Sequence, residues 1–276
     1  MNNPVFSFNL WSDITRILGY DFMLHAFEAG TIVAIVAGVI GYFVVIRRSS
    51  FAAHALSHVG FTGAAGSVLL GINPICGLLA FTMGGGISMA ILGKRAESRD
   101  VQVGTVLAFL LGLGVLFISL YSGYATEAYS LLFGEILGIS TPNVIITLVA
   151  GLLILLITVI IYRPLLFTSL DEDVAEAKGV SIQGINLAFM VLLAAAISIA
   201  VQVVGVLLIF ALMVTPAAIA ERLAHRPMQG IAISVFVALF ATWIGLFISF
   251  YEPYPVSFFI VSVVFILYIL TRVFHR

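Results

Sequence analysis

Long apolar runs, separated by short charged or proline-containing breaks, set the pattern of the chain. A helix that crosses a membrane needs about 20 largely apolar residues, and that length recurs throughout. Phe27 to Ile46 is the first run and closes at Arg47-Arg48. His54 to Leu70 is the second and turns at Asn73-Pro74. Ile75 to Leu92 is the third, followed by the charged loop Gly93 to Asp100. Val101 to Leu120, Val144 to Tyr162 and Ile231 to Phe250 are further runs, and Val256 to Leu270 is the last, before Arg272 and Arg276. Ile185 to Val201 and Val203 to Ala220 follow one another with no clear polar break, so the count is eight or nine spans. Tyr121 to Thr141 holds Glu127 and Glu135 and is too polar to span; it reads as an outer loop with a short helix. The first 26 residues carry Trp11, Ile14, Ile17 and Leu18 at helical spacing and lack the basic start and short apolar stretch of a signal peptide. They read as an interfacial helix. The predicted fold class is all-α, a polytopic integral membrane protein with one domain over residues 1–276.

Composition removes the soluble alternative. Apolar residues make up 62% of the chain and charged residues 9%, where a soluble domain carries roughly 25% charged residues. A net charge of −1 gives no reason to expect a nucleic-acid partner. The single Cys76 excludes an internal disulfide or a cysteine metal cluster. Basic residues set the orientation. With the loop after the first span in the cytoplasm, Arg47, Arg48, Lys94, Arg95, Arg99, Arg163, Lys178, Arg222, Arg226, Arg272 and Arg276 all fall inside, the C-terminus included, and only Arg16 falls outside. Glu127, Glu135 and Glu252 then face outward. An outer surface rich in carboxylates suits a cation path, although each carboxylate alone reads more readily as a solvated loop charge.

The candidate chemistry lies just after Arg47-Arg48. His54 and His58 are four residues apart and share one face of a predicted helix. Neutral imidazole is a good ligand for zinc and similar metals, and polar side chains within a span usually serve function. The competing reading is a pair of core histidines bonded to neighbouring helices. His25 and Glu28, three residues apart near the start of the first span, are a second and weaker pair at the outer mouth, where plain interfacial placement competes. The segment Ser169 to Gly179 reads as a short cytoplasmic helix: Ser169 and Glu172 have capping-box spacing, carboxylates crowd the first turn, Lys178 sits in the last and Gly179 ends it. It is either a connecting loop or a docking element, with Ala175 and Ala177 small enough to fit a partner's groove. Neither the triple glycine Gly84 to Gly86 nor Gly93-Lys94-Arg95 forms a phosphate-binding loop, and no His-Glu-x-x-His occurs.

These pieces, in this order, resemble the permease subunits of bacterial ABC importers for zinc, manganese and iron. The likeness is carried by Arg47-Arg48 before His54-Ala55-Leu56-Ser57-His58, by Leu132-Phe133-Gly134-Glu135-Ile136-Leu137, and by Val204-Gly205-Val206-Leu207-Leu208 through Thr215-Pro216-Ala217-Ala218. The resemblance implies an importer permease fold in the bacterial cytoplasmic (inner) membrane, not itself an enzyme and with no tightly bound cofactor. It implies ABC ATPase subunits below, an extracytoplasmic metal-binding protein above and a second permease copy beside it. His54 and His58 would contact the transported divalent ion. Glu135 would join His25 and Glu28 at the outer mouth. Asp171, Glu172, Asp173, Val174, Ala175, Glu176, Ala177, Lys178 and Gly179 would form the coupling helix to the ATPase.

One departure matters. The family commonly has Asp-Ala-Leu-x-His where this chain has a histidine at 54. A nitrogen pair is softer than an aspartate-histidine pair and favours zinc, with manganese and iron as the other candidates. The alternatives are a siderophore- or cobalamin-type ABC permease, which would not need the histidines, and a secondary metal transporter. The second is weakened by the lack of a carboxylate deep in any span.

Overall fold

The computed structural model describes residues 10–92, 99–120, 134, 136–252 and 254–274. They are helical almost throughout and contain no strand. A short helix α1 (Leu10–Leu18) precedes α2 (Asp21–Ile46), α3 (Ser50–Leu69), α4 (Pro74–Leu92) and α5 (Arg99–Leu120). A 3₁₀ turn at Ile136–Gly138 leads into α6 (Thr141–Ile160), then two short helices, α7 (Tyr162–Leu170) and α8 (Glu172–Ala177). Finally come α9 (Ile182–Val204), α10 (Val206–Leu223), α11 (Pro227–Tyr251) and α12 (Val256–Phe274). Eight of these are long and apolar enough to cross a membrane: α2, α4, α5, α6 and α9 to α12. The helix α3 is as long as α6 but carries two histidines and many small residues, and it is wrapped by α4, α5, α9 and α10.

The helix α2 is the central post, buried along most of its length and packed by α6, α9, α10 and α11. Lipid cannot drive apolar helices together, so close packing must. One close approach is between α3 and α4: a methyl built on Gly63 would lie 2.1 Å from the Gly77 carbonyl oxygen. Any larger side chain at either glycine would force the two backbones apart.

Two boundaries differ from the sequence pattern. The first span starts at Asp21, six residues earlier than its apolar run, so His25 and Glu28 lie inside α2. Polar residues extend a helix beyond its apolar length when one of its ends leaves the hydrocarbon. The unbroken stretch from Ile185 to Ala220 divides at Gly205, whose φ of +84° and ψ of 164° only glycine adopts readily. The break between two spans is thus made by backbone freedom and not by polarity.

The turn between α2 and α3 joins the helices within three residues. The Arg48 amide donates to the Val45 carbonyl and the Ser49 amide to the Val44 carbonyl. This is the Schellman pattern of a helix terminus, with Arg48 at φ +53° in the place that glycine usually holds. The ends of α2, α7 and α10 and the start of α5 meet around this turn. They line a cavity of about 650 Å³ that Arg47, Arg48, Asp100, Asp171, Glu172 and Glu221 share.

Candidate metal-contact site

His54 and His58 project from α3 one turn apart, with ring centres 4.7 Å apart and planes at 79°. Metal–nitrogen bonds of about 2.0–2.1 Å allow one ion to bridge rings at this spacing. The pair is held from both sides. Thr62 Oγ1 donates to the Leu110 carbonyl on α5 at 2.9 Å, tying α3 to α5 one turn beyond His58. The ring of Phe210 on α10 stands edge-on to His54, 5.0 Å between centres. Both imidazoles are half-buried. His54 Nδ1 is buried and makes no hydrogen bond. A buried nitrogen without a partner is costly, and no neighbouring helix supplies His54 Nδ1 with one among the described residues.

Among the described residues no group of three or more His, Cys, Asp or Glu side chains converges. One chain thus offers two nitrogen donors where a closed zinc site takes four. Such an arrangement can touch an ion and let it go, or be completed by another molecule.

The other predicted residues lie elsewhere. His25 Nε2 pairs with Thr141 Oγ1 at 3.2 Å, linking the start of α2 to the start of α6, while Glu28 is exposed. From His25 to Arg47 along α2 is about 33 Å at 1.5 Å per residue, so this pair belongs to the opposite end of the molecule from the Arg47 turn. Glu135 lies outside the described residues, but its neighbours are placed. Ile136 packs near Gly30 of α2, and Gly134 (φ +76°) fits against the Val204–Gly205 peptide. Gly134 and Gly205, some 70 residues apart, therefore meet at the end of α2 that holds His25.

The segment 169–179 is not one helix capped by Ser169. The chain breaks at Asp171, whose extended backbone lets its Oδ1 accept from the Val174 amide at 3.0 Å. Ser169 Oγ instead donates to the Leu165 carbonyl and accepts from Arg47. Gly179 (φ +79°) ends α8 as its sequence position predicts, its amide donating to Glu176 and that of Val180 to Ala175. Ala175 is fully buried within the chain and so is not on a docking face. Glu172, Asp173, Val174, Glu176, Ala177 and Lys178 are exposed, with the Lys178 ammonium 5.1 Å above the Phe167 ring.

Sequence reasoning missed two residues around the site. Phe210 gives no signal in an apolar run. Arg47, which the sequence places among the cytoplasmic positive charges, is only 8% exposed. The lone Asn186 near the start of an apolar run was the available hint to its burial.

Comparison with known proteins agrees with this architecture. The chain is 32% identical over 84% of its length to the manganese import system permease protein ScaB of Streptococcus parasanguinis, covering 82% of that protein. It is 26% identical over 84% of its length to the high-affinity zinc uptake system membrane protein ZnuB of Haemophilus influenzae, covering 90% of it. Among solved structures, PsaBC from Streptococcus pneumoniae in complex with Fab superposes with a TM-score of 0.83 at 30% identity, covering 95% of each chain. Residues 19–275 match the family described as the ABC 3 transport family. The resemblance first drawn from short motifs holds over nearly the full length, and the chain belongs to the ABC 3 transport family.

Proposed function

We propose that the chain is the membrane-spanning permease of an ATP-driven importer that carries a divalent transition metal ion into the bacterial cytoplasm by alternating access. The observation that carries this reading is the His54–His58 pair, ring centres 4.7 Å apart with a buried, unpaired nitrogen, in a chain of this family. The pair is the contact point for the ion. Zinc is favoured because both donors are nitrogen; relatives named for manganese and for zinc make these the two ions to compare. The chain hydrolyses no ATP itself. Separate ATPase subunits do so below, and a metal-binding protein delivers the ion from outside.

The Arg47 end and the C-terminus face the cytoplasm, as the basic residues require. His25, Glu28 and Glu135 then stand at the outer mouth. The short α8, with Glu172 and Glu176 exposed, is the docking element for the ATPase. A second copy beside the first would bring four imidazoles to one two-fold axis and complete the ion's shell in passing. The test is uptake of Zn²⁺ and Mn²⁺ into vesicles holding the chain with its ATPase and binding protein. ATP-dependent uptake lost on His58→Ala is expected; uptake unchanged by that substitution would remove the site, and uptake by the chain alone under an ion gradient would remove the ATP-driven reading.

A further inference from the structure

Arginine is rarely buried unless its donors are matched. Arg47 is 8% exposed, and both of its Nη atoms are matched by oxygens of other helices. One Nη donates to Thr168 Oγ1 at 3.0 Å and to Ser169 Oγ at 3.2 Å, both at the end of α7. The other donates to Asn186 Oδ1 on α9 at 3.4 Å, and the guanidinium carbon stands 5.0 Å from the centre of the Phe189 ring, also on α9. The two hydroxyls are prepared for this. Each donates its own proton to the Leu165 carbonyl, which leaves its oxygen lone pairs for the arginine. Arg47 itself caps α2. One planar side chain thus fastens three helices at a single point.

Its position along the chain gives that point a consequence. On one side, α7 ends at Leu170 and passes through Asp171 directly into α8, the docking element. On the other, α2 passes through the tight Arg48-Ser49 turn into α3, and His54 follows within about one turn of helix. Ser49 Oγ closes that turn by donating to the Arg47 carbonyl at 3.2 Å. A guanidinium presents its donors in a fixed fork. Sliding α7 against α2 would break the hydrogen bonds that hold a nearly buried charge in place, so the elements are held to move together.

We infer that Arg47 is a positioning residue, the strut that carries displacement of the docking helix α8 to the metal-contact helix α3. This rests on the importer reading for what the movement accomplishes, but the rigid link can be tested without it. Nitroxide labels on Leu170→Cys and Phe51→Cys, both exposed positions, in a Cys76→Ala chain assembled with its ATPase, report the distance between the end of α7 and the start of α3. The expected result is a narrow distance distribution that is the same with and without a non-hydrolysable ATP analogue, and that broadens in Arg47→Met. Uptake of Zn²⁺ or Mn²⁺ per ATP hydrolysed should fall about tenfold in the unlabelled Arg47→Met complex, the scale of a lost coupling contact. Arg47→Lys should recover part of it, with assembly and ATP hydrolysis little changed.

A wild-type distance that shifts with nucleotide overturns the strut, as does an Arg47→Met distribution like that of the wild type. Loss of ATPase binding in proportion to lost uptake would also overturn it, by making Arg47 a docking or folding residue. Should Arg47→Met fail to accumulate, Asn186→Leu and Thr168→Val remove one acceptor each, and the same distances decide. Wild-type vesicles that take up neither ion while the distances behave as expected would sink the importer reading and leave the strut standing.

Discussion

Gly134 and Gly205 meet backbone to backbone: a methyl built on Gly134 would lie 2.4 Å from the Val204 carbonyl carbon and 2.6 Å from the Gly205 nitrogen. Both have positive φ, +76° and +84°. The contact locks the loop before α6 to the hinge between α9 and α10. Gly134→Ala adds a clash with unyielding backbone, and Gly205→Ala places a side chain in a region that costs about 1–3 kcal/mol. Each should lower the thermal unfolding midpoint in detergent and the folded yield. An unchanged midpoint for both would refute the packing.

His58→Ala should remove metal-dependent growth and uptake while the complex with the ATPase still assembles, which co-purification checks. His54→Asp replaces a nitrogen donor with oxygen and should move preference from Zn²⁺ toward Mn²⁺ in a competition uptake assay, because an oxygen donor suits the harder ion. The sign with pH follows from ligand chemistry: a protonated imidazole cannot bind metal. Uptake should fall on acidification, and less steeply in His54→Asp, which has one imidazole fewer to protonate. Equal acid sensitivity in the two would count against direct contact at His54.

Phe210 closes one side of the pair by its edge-on contact with His54. Phe210 is only partly buried, so Phe210→Ala should cost about 1–2 kcal/mol, less than the loss of a core phenylalanine, and should free the His54 ring. Reduced selectivity between Zn²⁺ and Mn²⁺, at a lowered unfolding midpoint, is the expected pattern. Wild-type selectivity would show that Phe210 only packs.

On α8 the cap and the exposed charges should separate. Asp171→Ala removes the hydrogen bond to the Val174 amide and should cost about 1 kcal/mol of local stability, visible as faster amide exchange over α8. Glu172→Lys with Glu176→Lys changes only exposed side chains. It should leave folding intact and weaken ATPase binding, read by titration of ATPase onto the purified chain. Unchanged affinity would refute a docking role for this face.

Arg48 occupies a left-handed backbone position where a side chain costs roughly 1 kcal/mol. Arg48→Gly should therefore be neutral or raise the unfolding midpoint slightly, against the usual penalty of glycine. A clear loss of stability would mean that the side chain contributes more than the strain it carries.

The sequence by itself determined the solvent, the class and the candidate ligands of this protein. Apolar length and scarce charge require a bundle of spans whatever the packing, and spacing alone places His54 and His58 on one helical face. It also set the end of α8, because Gly179 acts through its own backbone freedom. The tertiary structure decided what depends on partners distant in the chain. The division of the stretch after Ile185 rests on the φ and ψ of Gly205, which apolar patterning cannot register. The cap of α8 fell to Asp171 and not Ser169, because Ser169 still lies within α7, its hydroxyl bonded to Leu165 and to Arg47, 122 residues away. In sequence Arg47 is one more positive charge at the end of a span. Only the packing of α2, α7 and α9 supplies the acceptors that let it be buried, since a guanidinium leaves water where its donors find matching oxygens.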